Sequence, residues 1–160
     1  MAQGGNRAGP AAGEAAWRAA VRVVRAADTA GAMTGPGGSG RATLFDFAGT
    51  GGGPPDLAGR TWIGRVVQAA GSSTGPHHHG RHEAVIHVLQ GHAEIRWGAR
   101  LEYMAGIGPG DSVYFAPFVP HQERNLSAAM PVEYLVVRSD GERLVEALDI
   151  VPAAQPQAAG

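Results

Sequence analysis

GSSTGPHHHGRHEAVIHVLQG, residues 71–91, is the stretch of this sequence that says most about its fold and its chemistry. Neutral imidazole is the commonest metal ligand in proteins, and imidazole together with carboxylate suits first-row divalent ions. The chain has no cysteine, so any metal site must use nitrogen and oxygen ligands. The segment contains five of the chain's seven histidines, namely His77, His78, His79, His82 and His87.

The spacing within this segment favours His77 and His79 as a pair of ligands. Residues two apart on a strand point to the same face, so both imidazoles would project together at a strand end. Glu83 follows after three intervening residues, and a single turn would bring it to the same point. A fourth ligand must then come from elsewhere in the fold. The alternative interpretation is that the HHH run is a solvent-exposed polar turn.

Short runs of β-branched and aromatic residues recur from position 43 onwards, and Gly, Pro or Asn separates most of them. Many short strands at this spacing indicate an all-β sandwich or barrel. A parallel α/β fold would need helical segments of about 10–15 residues between the strands, and the sequence shows none after residue 43. The predicted strands are Thr43–Phe47, Thr61–Gln68, Glu83–Leu89, Ala93–Trp97, Leu101–Met104, Ser112–Phe115, Gln122–Leu126 and Val132–Arg138.

The histidine-rich segment resembles the first sequence motif of the cupin superfamily. That motif has a glycine, five residues, His-x-His, three or four residues, a glutamate, six residues and a glycine. Gly71, His77, His79 and Glu83 match it in order and spacing. Seven residues rather than six separate Glu83 from Gly91, so either a bulge is needed or the acidic position is displaced.

A second segment, PGDSVYFAPFVPHQERN, resembles the second cupin motif. Ala116 takes the proline position of that motif, and Phe118 stands where the family usually has glycine. These departures change the turn before the histidine and would place an aromatic ring at the pocket mouth. The resemblance implies a cupin-type double-stranded β-helix, or jelly-roll, barrel with a flexible N-terminal arm. The matching glycine, histidine and asparagine are Gly110, His121 and Asn125.

The resemblance also implies one divalent metal ion held inside the barrel. Its expected ligands are His77, His79, Glu83 and His121. Glu83 would also be the catalytic residue if it can leave the metal, and the spacing makes His82 the alternative ligand at its position. Fe, Mn, Ni, Co and Zn all suit such a site, and Fe is favoured. A residue that hydrogen-bonds to a ligand histidine is also expected, either Glu123 or Asn125.

Aromatic residues are the candidates for the wall of a substrate pocket, although ordinary core packing is the alternative for each. Strand alternation predicts that Phe115 points inward and Tyr114 outward. Polar residues in the strand patterns, Arg65, Arg96 and Gln68, would bind a substrate oxyanion or lie on the solvated surface. The aromatic candidates are Trp62, Trp97, Tyr103, Tyr114, Phe115 and Phe118. The predicted pocket consists of Phe115, Phe118, Trp97 and Arg65.

Composition divides the chain into one domain with flexible ends. Residues 1–16 are rich in Gly and Ala and predict a disordered tail. Residues 17–42 predict an N-terminal arm with a short helix or strand and a Gly-rich loop. The barrel is expected at 43–150, and a second disordered tail at 151–160.

Charge and hydropathy exclude several classes of partner. The formal net charge is −1 and Arg and Lys form no run, so neither nucleic acid nor an anionic membrane surface is expected as a partner. No stretch approaches the ~18 apolar residues of a membrane span, and the N-terminus lacks the apolar core of a signal peptide. We therefore expect a cytoplasmic protein.

Two classes of function remain open at this stage. The first is a metal-dependent enzyme that acts on a small aromatic or enolic molecule, with oxygenase-type chemistry favoured over isomerase, cyclase or decarboxylase chemistry. The second is a non-catalytic cupin that binds a small molecule. Because cupins often dimerise by sheet pairing, a homodimer is expected, with the EYLVVRS strand (133–139) and residues 17–30 as interface elements.

Overall fold

The computed structural model describes residues 39–46, 61–139 and 145–159, with the backbone alone for 43–46. Within these ranges the chain forms β-strands and no helix. The strands are β1 (Gly40–Asp46), β2 (Thr61–Gln68), β3 (His77–His78), β4 (Ala84–Gln90), β5 (Ala93–Trp97), β6 (Tyr103–Ile107), β7 (Ser112–Phe115), β8 (His121–Arg124), β9 (Val132–Ser139), β10 (Glu146–Ala147) and β11 (Gln157–Ala158).

The strands form two sheets. The five-stranded sheet has the order β1-β2-β9-β4-β7, and the six-stranded sheet has the order β10-β3-β8-β5-β6-β11. Neighbouring strands pair antiparallel, except that β11 runs parallel to β6. Consecutive strands often lie in different sheets, so the chain crosses repeatedly between the two layers. This arrangement confirms the predicted all-β jelly-roll fold.

Side-chain alternation explains how the two layers pack. On β4, Ala84, Ile86 and Val88 are buried, while Val85 and Leu89 are exposed. A strand that covers a core on one face shows this period of two. The inward residues of both sheets join in a single apolar cluster, which includes Ala84, Ile86, Val88, Ala93, Ile95, Ile107, Phe115, Val132 and Tyr134.

The C-terminal residues differ from the sequence prediction. Disorder was expected over 151–160, but β11 lies within that range and pairs with β6. The backbone N–H groups of Ala153 and Gln157 donate to the carbonyls of Arg100 and Glu102. Backbone pairing along a sheet edge needs no apolar side chains, which is why the composition of this segment did not reveal it.

The N-terminal predictions are tested only in part. The 1–16 tail and the helix or strand expected after residue 17 lie outside the described residues. Strand β1 begins at Gly40, inside the segment expected to be a Gly-rich loop, and pairs with β2. The first strand of the barrel therefore begins before residue 43, where the barrel was predicted to start.

Strand β9 contains the EYLVVRS segment, which we expected at a dimer interface through sheet pairing. It lies between β2 and β4 and pairs with both, so it has no free edge for a second copy. A second copy therefore cannot add a strand directly to β9, and the homodimer and its interface elements stay predictions. In the described part of the chain, no helix is long and apolar enough to cross a membrane.

Candidate metal centre

Strand pairing brings together three histidines from two distant segments. On β3 and β8, His77 and His121 lie opposite each other in the antiparallel register. His79 follows β3, and its ring centroid is 5.2 Å from that of His77 and 5.0 Å from that of His121. One ligand nitrogen from each of these residues lies within 4.8 Å of the other two. The three imidazoles are therefore placed to share one ion.

Backbone carbonyls orient two of the three rings. Nδ1 of His77 lies 2.9 Å from the carbonyl oxygen of Gly75, and Nδ1 of His121 lies 2.8 Å from that of Val119. A carbonyl can only accept, so each Nδ1 carries the proton and donates. The lone pair of each neutral ring is then on Nε2, the atom available to a metal.

The environment of His121 suits a neutral ligand. Its side chain is 1% exposed, and within the described structure its Nε2 is buried without a hydrogen-bond partner. Burial lowers the pKa of His121, although the nearby Glu123 carboxylate acts in the opposite direction. A buried nitrogen lone pair without a donor is costly unless something fills the space before it. A divalent ion fits this requirement.

Glu83, predicted as the fourth ligand and the catalytic residue, does not join the histidines. Its side chain is exposed, and its Oε1 accepts a hydrogen bond of 2.8 Å from the hydroxyl of Tyr114. Glu83 lies two residues before the outward-facing Val85 of β4, so its carboxylate also faces away from the core. With six residues between it and Gly91, the family's acidic position falls on Ala84, which points inward but has no ligand atom.

Two further predictions about this region are corrected by the structure. His82 is buried, but among the described residues it does not belong to the group of three close ligands. Asn125 does not contact a ligand histidine: its side-chain amide donates to the carbonyls of Gln68, Ala69 and Met130. These hydrogen bonds hold the turn that follows β8.

Glu123 is the carboxylate that faces the histidines. Its Oε1 lies 3.8 Å from Nε2 of His121, and its Oε2 lies 4.0 Å from Nε2 of His77. The hydroxyl of Thr74 donates to Oε2 at 2.6 Å. Burial alone would raise the pKa of Glu123, but the two imidazoles and the hydroxyl outweigh it and lower the pKa. The Glu123 carboxylate therefore lies beside Nε2 of His77 and of His121, the atoms that are available to a metal. A residue that only orients a ligand histidine would instead accept a hydrogen bond from its Nδ1.

A cavity of about 630 Å³ opens beside this cluster. Its apolar wall comes mainly from β2 and β9, whose inward-facing residues share one phase. Its polar lining includes Gln68, which accepts a hydrogen bond from the hydroxyl of Tyr134 at 3.0 Å and donates to the carbonyl of Glu123. Among its lining residues are His77, His79, Glu123, Trp62, Val66, Gln68, Tyr134, Val136 and Arg138.

None of the four predicted pocket residues lines this cavity. Arg65 faces outward on β2 and forms an ion pair with Glu133. Trp97 packs beside Tyr103, with the ring centroids 5.9 Å apart. Phe118 is 61% exposed, in a turn where its φ is 60°, and its ring lies near His78 rather than at the cavity.

Phe115 is the exception that still bears on the site. It is buried, as strand alternation predicted, but it lies behind His121 and not in the cavity wall. Tyr134 and Arg138 line the cavity wall but are not among the residues predicted for it from the sequence. Both share the phase of Val132 on β9, and that shared phase is the signal that could have found them.

Comparison with known families agrees with this geometry. A sequence model described as a cupin domain matches residues 64–138, which contain all three clustered histidines. Residues 64–138 of the chain therefore form a cupin domain. Among curated proteins, no sequence match was found.

Several solved structures share the fold of this cupin. The polyketide cyclase RemF from Streptomyces resistomycificus is 23% identical with a TM-score of 0.55, over 74% of this chain and 75% of that one. KdgF from a Halomonas species is 20% identical with a TM-score of 0.53, over 68% and 84%. A cupin 2 domain-containing protein from Halorhodospira halophila is 26% identical with a TM-score of 0.55, over 69% and 70%.

Proposed function

We propose that this cupin is a metal-dependent enzyme that acts on a small aromatic or enolic molecule. The observation that carries the proposal is the cluster of three histidines, two of which, His77 and His79, line a cavity of about 630 Å³. Small-molecule sites typically measure roughly 300–1,000 Å³ and have mostly apolar walls with a few polar groups. Trp62, Tyr134, Val66 and Val136 supply such a wall here.

In this proposal His77, His79 and His121 hold one divalent ion, and Glu123 is the fourth ligand. Ligand atoms lie about 2.0–2.2 Å from a bound first-row ion, so two of them can be up to ~4.4 Å apart. The distances of 3.8 Å and 4.0 Å from the Glu123 oxygens to the histidine nitrogens agree with this limit. Fe is the favoured ion among Fe, Mn, Ni, Co and Zn.

When bound, the ion would supply Lewis acidity and open coordination positions for dioxygen or a chelating substrate. The protein's own residues prepare the site for it. The carbonyls of Gly75 and Val119 fix the tautomers of two histidines, and Thr74 orients the Glu123 carboxylate. The wall residues Trp62 and Tyr134 would exclude water from a planar substrate.

Oxygenase-type chemistry is the first candidate reaction. The aromatic side chains in the cavity wall support it, because they suit an aromatic or enolic molecule better than a sugar. A non-redox cyclisation or isomerisation is the second candidate. Glu123 favours it, because such a reaction requires a group that transfers a proton, and a carboxylate at the cavity wall can do so. The fold is also similar to that of a polyketide cyclase.

Turnover in the presence and absence of oxygen tests the proposal. The protein would be loaded anaerobically with Fe(II) and separately with Zn(II), then offered a panel of catechols, flavonols and β-diketones. We expect metal-dependent product formation with oxygen consumed in step, measured by mass spectrometry and an oxygen electrode. Turnover without oxygen would favour the second candidate.

The same preparation separates an enzyme from a non-catalytic cupin. Nitric oxide binds to an open position on Fe(II) and gives a characteristic spin-resonance signal. We expect that signal in the loaded protein and its absence in His121→Ala. If the Fe(II)-loaded protein gives no nitric oxide signal and no turnover across the panel, the enzyme proposal is contradicted and a binding role is favoured.

A further inference from the structure

Tyr134 lines the cavity, and one neighbouring side chain orients its hydroxyl. Tyr134 is buried on β9, and its hydroxyl donates to Oε1 of Gln68 on β2 at 3.0 Å. Gln68 pairs with Val132 in the β2–β9 register, so Tyr134, two residues further on, is its diagonal neighbour on the same face of the sheet. Gln68 lines the cavity as well. The pairing of the two strands therefore holds the hydroxyl against the amide.

The backbone around Gln68 fixes the direction of this hydrogen bond. Nε2 of Gln68 lies 3.0 Å from the carbonyl oxygen of Glu123 and 3.3 Å from that of Ser72. A carbonyl can only accept, so the amide nitrogen must face these two groups, and the amide oxygen must face Tyr134. That oxygen also can only accept, which makes Tyr134 the donor. Because both hydrogens of the amide are engaged, Gln68 does not bind a substrate oxyanion, which was one expectation for it.

A ligand can therefore use the Tyr134 hydroxyl only as an acceptor. A phenolic hydroxyl has one hydrogen to donate and lone pairs that accept, and here the hydrogen is committed to Gln68. In the part of the chain that the structure describes, no group donates to the Tyr134 oxygen. A ligand that donates a hydrogen can bind to this oxygen, whereas a ligand that only accepts would have to break the hydrogen bond to Gln68.

The oriented hydroxyl belongs to the same part of the cavity as the candidate ligands. The Gln68 amide that accepts from Tyr134 also donates to the backbone of Glu123, and the carboxylate of Glu123 faces Nε2 of His77 and of His121. Gln68, Glu123 and His77 line one cavity. A small molecule that reaches an ion held by the histidines would therefore also come close to Tyr134.

We propose that Tyr134 selects substrates with a phenolic or enolic hydroxyl by accepting a hydrogen bond from that group. This inference rests on the proposed function and narrows the substrate to the enol form of a compound, or to a phenol. A ketone or an ether offers acceptors alone, which Tyr134 cannot satisfy while it donates to Gln68. A site built to pair with a substrate hydroxyl rejects analogues without one, because its own polar group is then left unpaired.

Binding of phenol, fluorobenzene and acetophenone to the metal-free protein tests this inference. Phenol can donate a hydrogen bond, fluorobenzene has nearly the same shape but cannot donate, and acetophenone only accepts. The metal is removed with EDTA, and NMR titration gives the dissociation constant of each probe. We expect the ratio of the fluorobenzene constant to the phenol constant to fall by about tenfold in Tyr134→Phe relative to the parent.

Gln68→Met tests the orientation of the hydroxyl separately from its presence. A thioether is only a weak acceptor, so the Tyr134 hydroxyl can then turn and donate to a ligand. We expect acetophenone to bind several-fold more tightly to Gln68→Met than to the parent. The substitution leaves both backbone carbonyls with a donor, because the N–H of Thr74 donates to Glu123 and the N–H of Asn125 donates to Ser72.

Tyr114→Phe is the matched control, because it removes the same hydroxyl on the exposed side of β7, where Tyr114 donates to Glu83. It should keep the full preference of the parent for phenol. If Tyr134→Phe fails to fold by circular dichroism, Gln68→Met alone decides.

An equal preference for phenol in Tyr134→Phe and the parent would overturn the inference. An affinity for acetophenone that Gln68→Met does not raise would overturn it as well. The proposed function fails on a different measurement, namely the absence of bound metal or of turnover. Because the probes are tested without metal, the two failures are distinguishable.

Discussion

The ring of Phe115 stacks on the imidazole of His121, with the centroids 3.9 Å apart and the planes inclined by 16°. The contact joins the apolar core to the candidate metal centre, since Phe115 belongs to the main core cluster. One face of the His121 ring is thereby closed to water, and its rotation is blocked. The carbonyl of Val119 fixes the same ring at Nδ1, so Nε2 can point in only one direction.

Loss of this stacking should weaken metal binding and stability together. We expect Phe115→Leu to lower metal affinity by about tenfold, because the imidazole is then held by the Val119 carbonyl alone, and to cost roughly 1 kcal/mol of unfolding free energy. Calorimetric metal titration and urea denaturation measure the two effects. Val88→Ala, a core change on β4, is the control and should lower stability alone. Equal metal affinity in Phe115→Leu and the parent would contradict the prediction.

The histidine triplet offers a sharp test of the metal centre. His79→Ala and His121→Ala should each lose most of the metal that the purified parent protein carries, because each removes one ligand. His78→Ala should retain it: Nδ1 of His78 accepts from the N–H of Gly80, and its Nε2 lies 3.7 Å from Glu146. Elemental analysis gives the metal content, and circular dichroism shows whether the barrel persists. Equal loss in all three variants would argue against the assigned ligands.

Substitution of the two candidate carboxylates, Glu123 and Glu83, should affect metal affinity differently. Glu123→Gln keeps the shape of the side chain but removes its charge, and we expect metal affinity to fall by about 10–100-fold. Glu83→Gln should leave metal affinity unchanged, because that carboxylate accepts from Tyr114 on the outer face. Competition with a coloured chelator measures both affinities. If Glu83→Gln lowers metal affinity and Glu123→Gln does not, Glu83 is the acidic ligand, as the resemblance to the first cupin motif implies.

Much of the fold could be predicted because the sequence pattern of a strand is visible within the strand itself. The predicted strands Thr61–Gln68, Ala93–Trp97 and Ser112–Phe115 coincide with β2, β5 and β7. Inward and outward residues alternate in these runs, and turn residues bound most of them. The convergence of His121 with His77 is a long-range pairing that only the resemblance to the cupin motifs could supply.

The acidic residue and the pocket depended on details that spacing does not fix. The extra residue before Gly91 coincides with a register shift between Val88 and Gln90 in the β4–β9 ladder. Glu83 is in phase with Val85 and therefore lies on the outer face, since a strand reverses its side-chain direction at every step. The carboxylate that reaches the site comes instead from Glu123, two residues beyond His121 on the same face of β8. The cavity wall needed the pairing of β2 with β9, which places Arg138 against Trp62 and cannot be deduced from either strand alone.

Gly91 should tolerate no side chain. Its φ is 83°, and a Cβ there would lie 2.5 Å from the carbonyl oxygen of Pro131. We expect Gly91→Ala to cost about 2 kcal/mol or more, from the strained backbone and the clash combined. Gly106→Ala on β6 is the control, because nothing lies within 4 Å of the added methyl group. Urea denaturation compares the two, and similar midpoints would contradict the prediction.

Glu94 links β5 to β8 and should make stability depend on pH. Its Oε1 accepts from Nε of Arg96 at 2.7 Å and from Nη1 of Arg124 at 2.8 Å. Burial acts to raise the pKa of Glu94, but the hydrogen bonds and charges of the two guanidinium groups outweigh it and leave the pKa below its ordinary value. The folded state therefore favours the ionised carboxylate.

Because the folded pKa of Glu94 is depressed, its contribution is complete above the pKa of the unfolded chain and is lost as the pH falls through the folded value. We expect Glu94→Gln to be less stable than the parent by about 1–3 kcal/mol near pH 7, and we expect this difference to shrink as the pH falls below the pKa of the unfolded chain. Urea denaturation followed by circular dichroism across this range measures the difference. Arg100→Gln on the exposed turn is the control and should show no such trend. If the difference between Glu94→Gln and the parent stays constant from neutral to acid pH, Glu94 does not stabilise the fold through its charge.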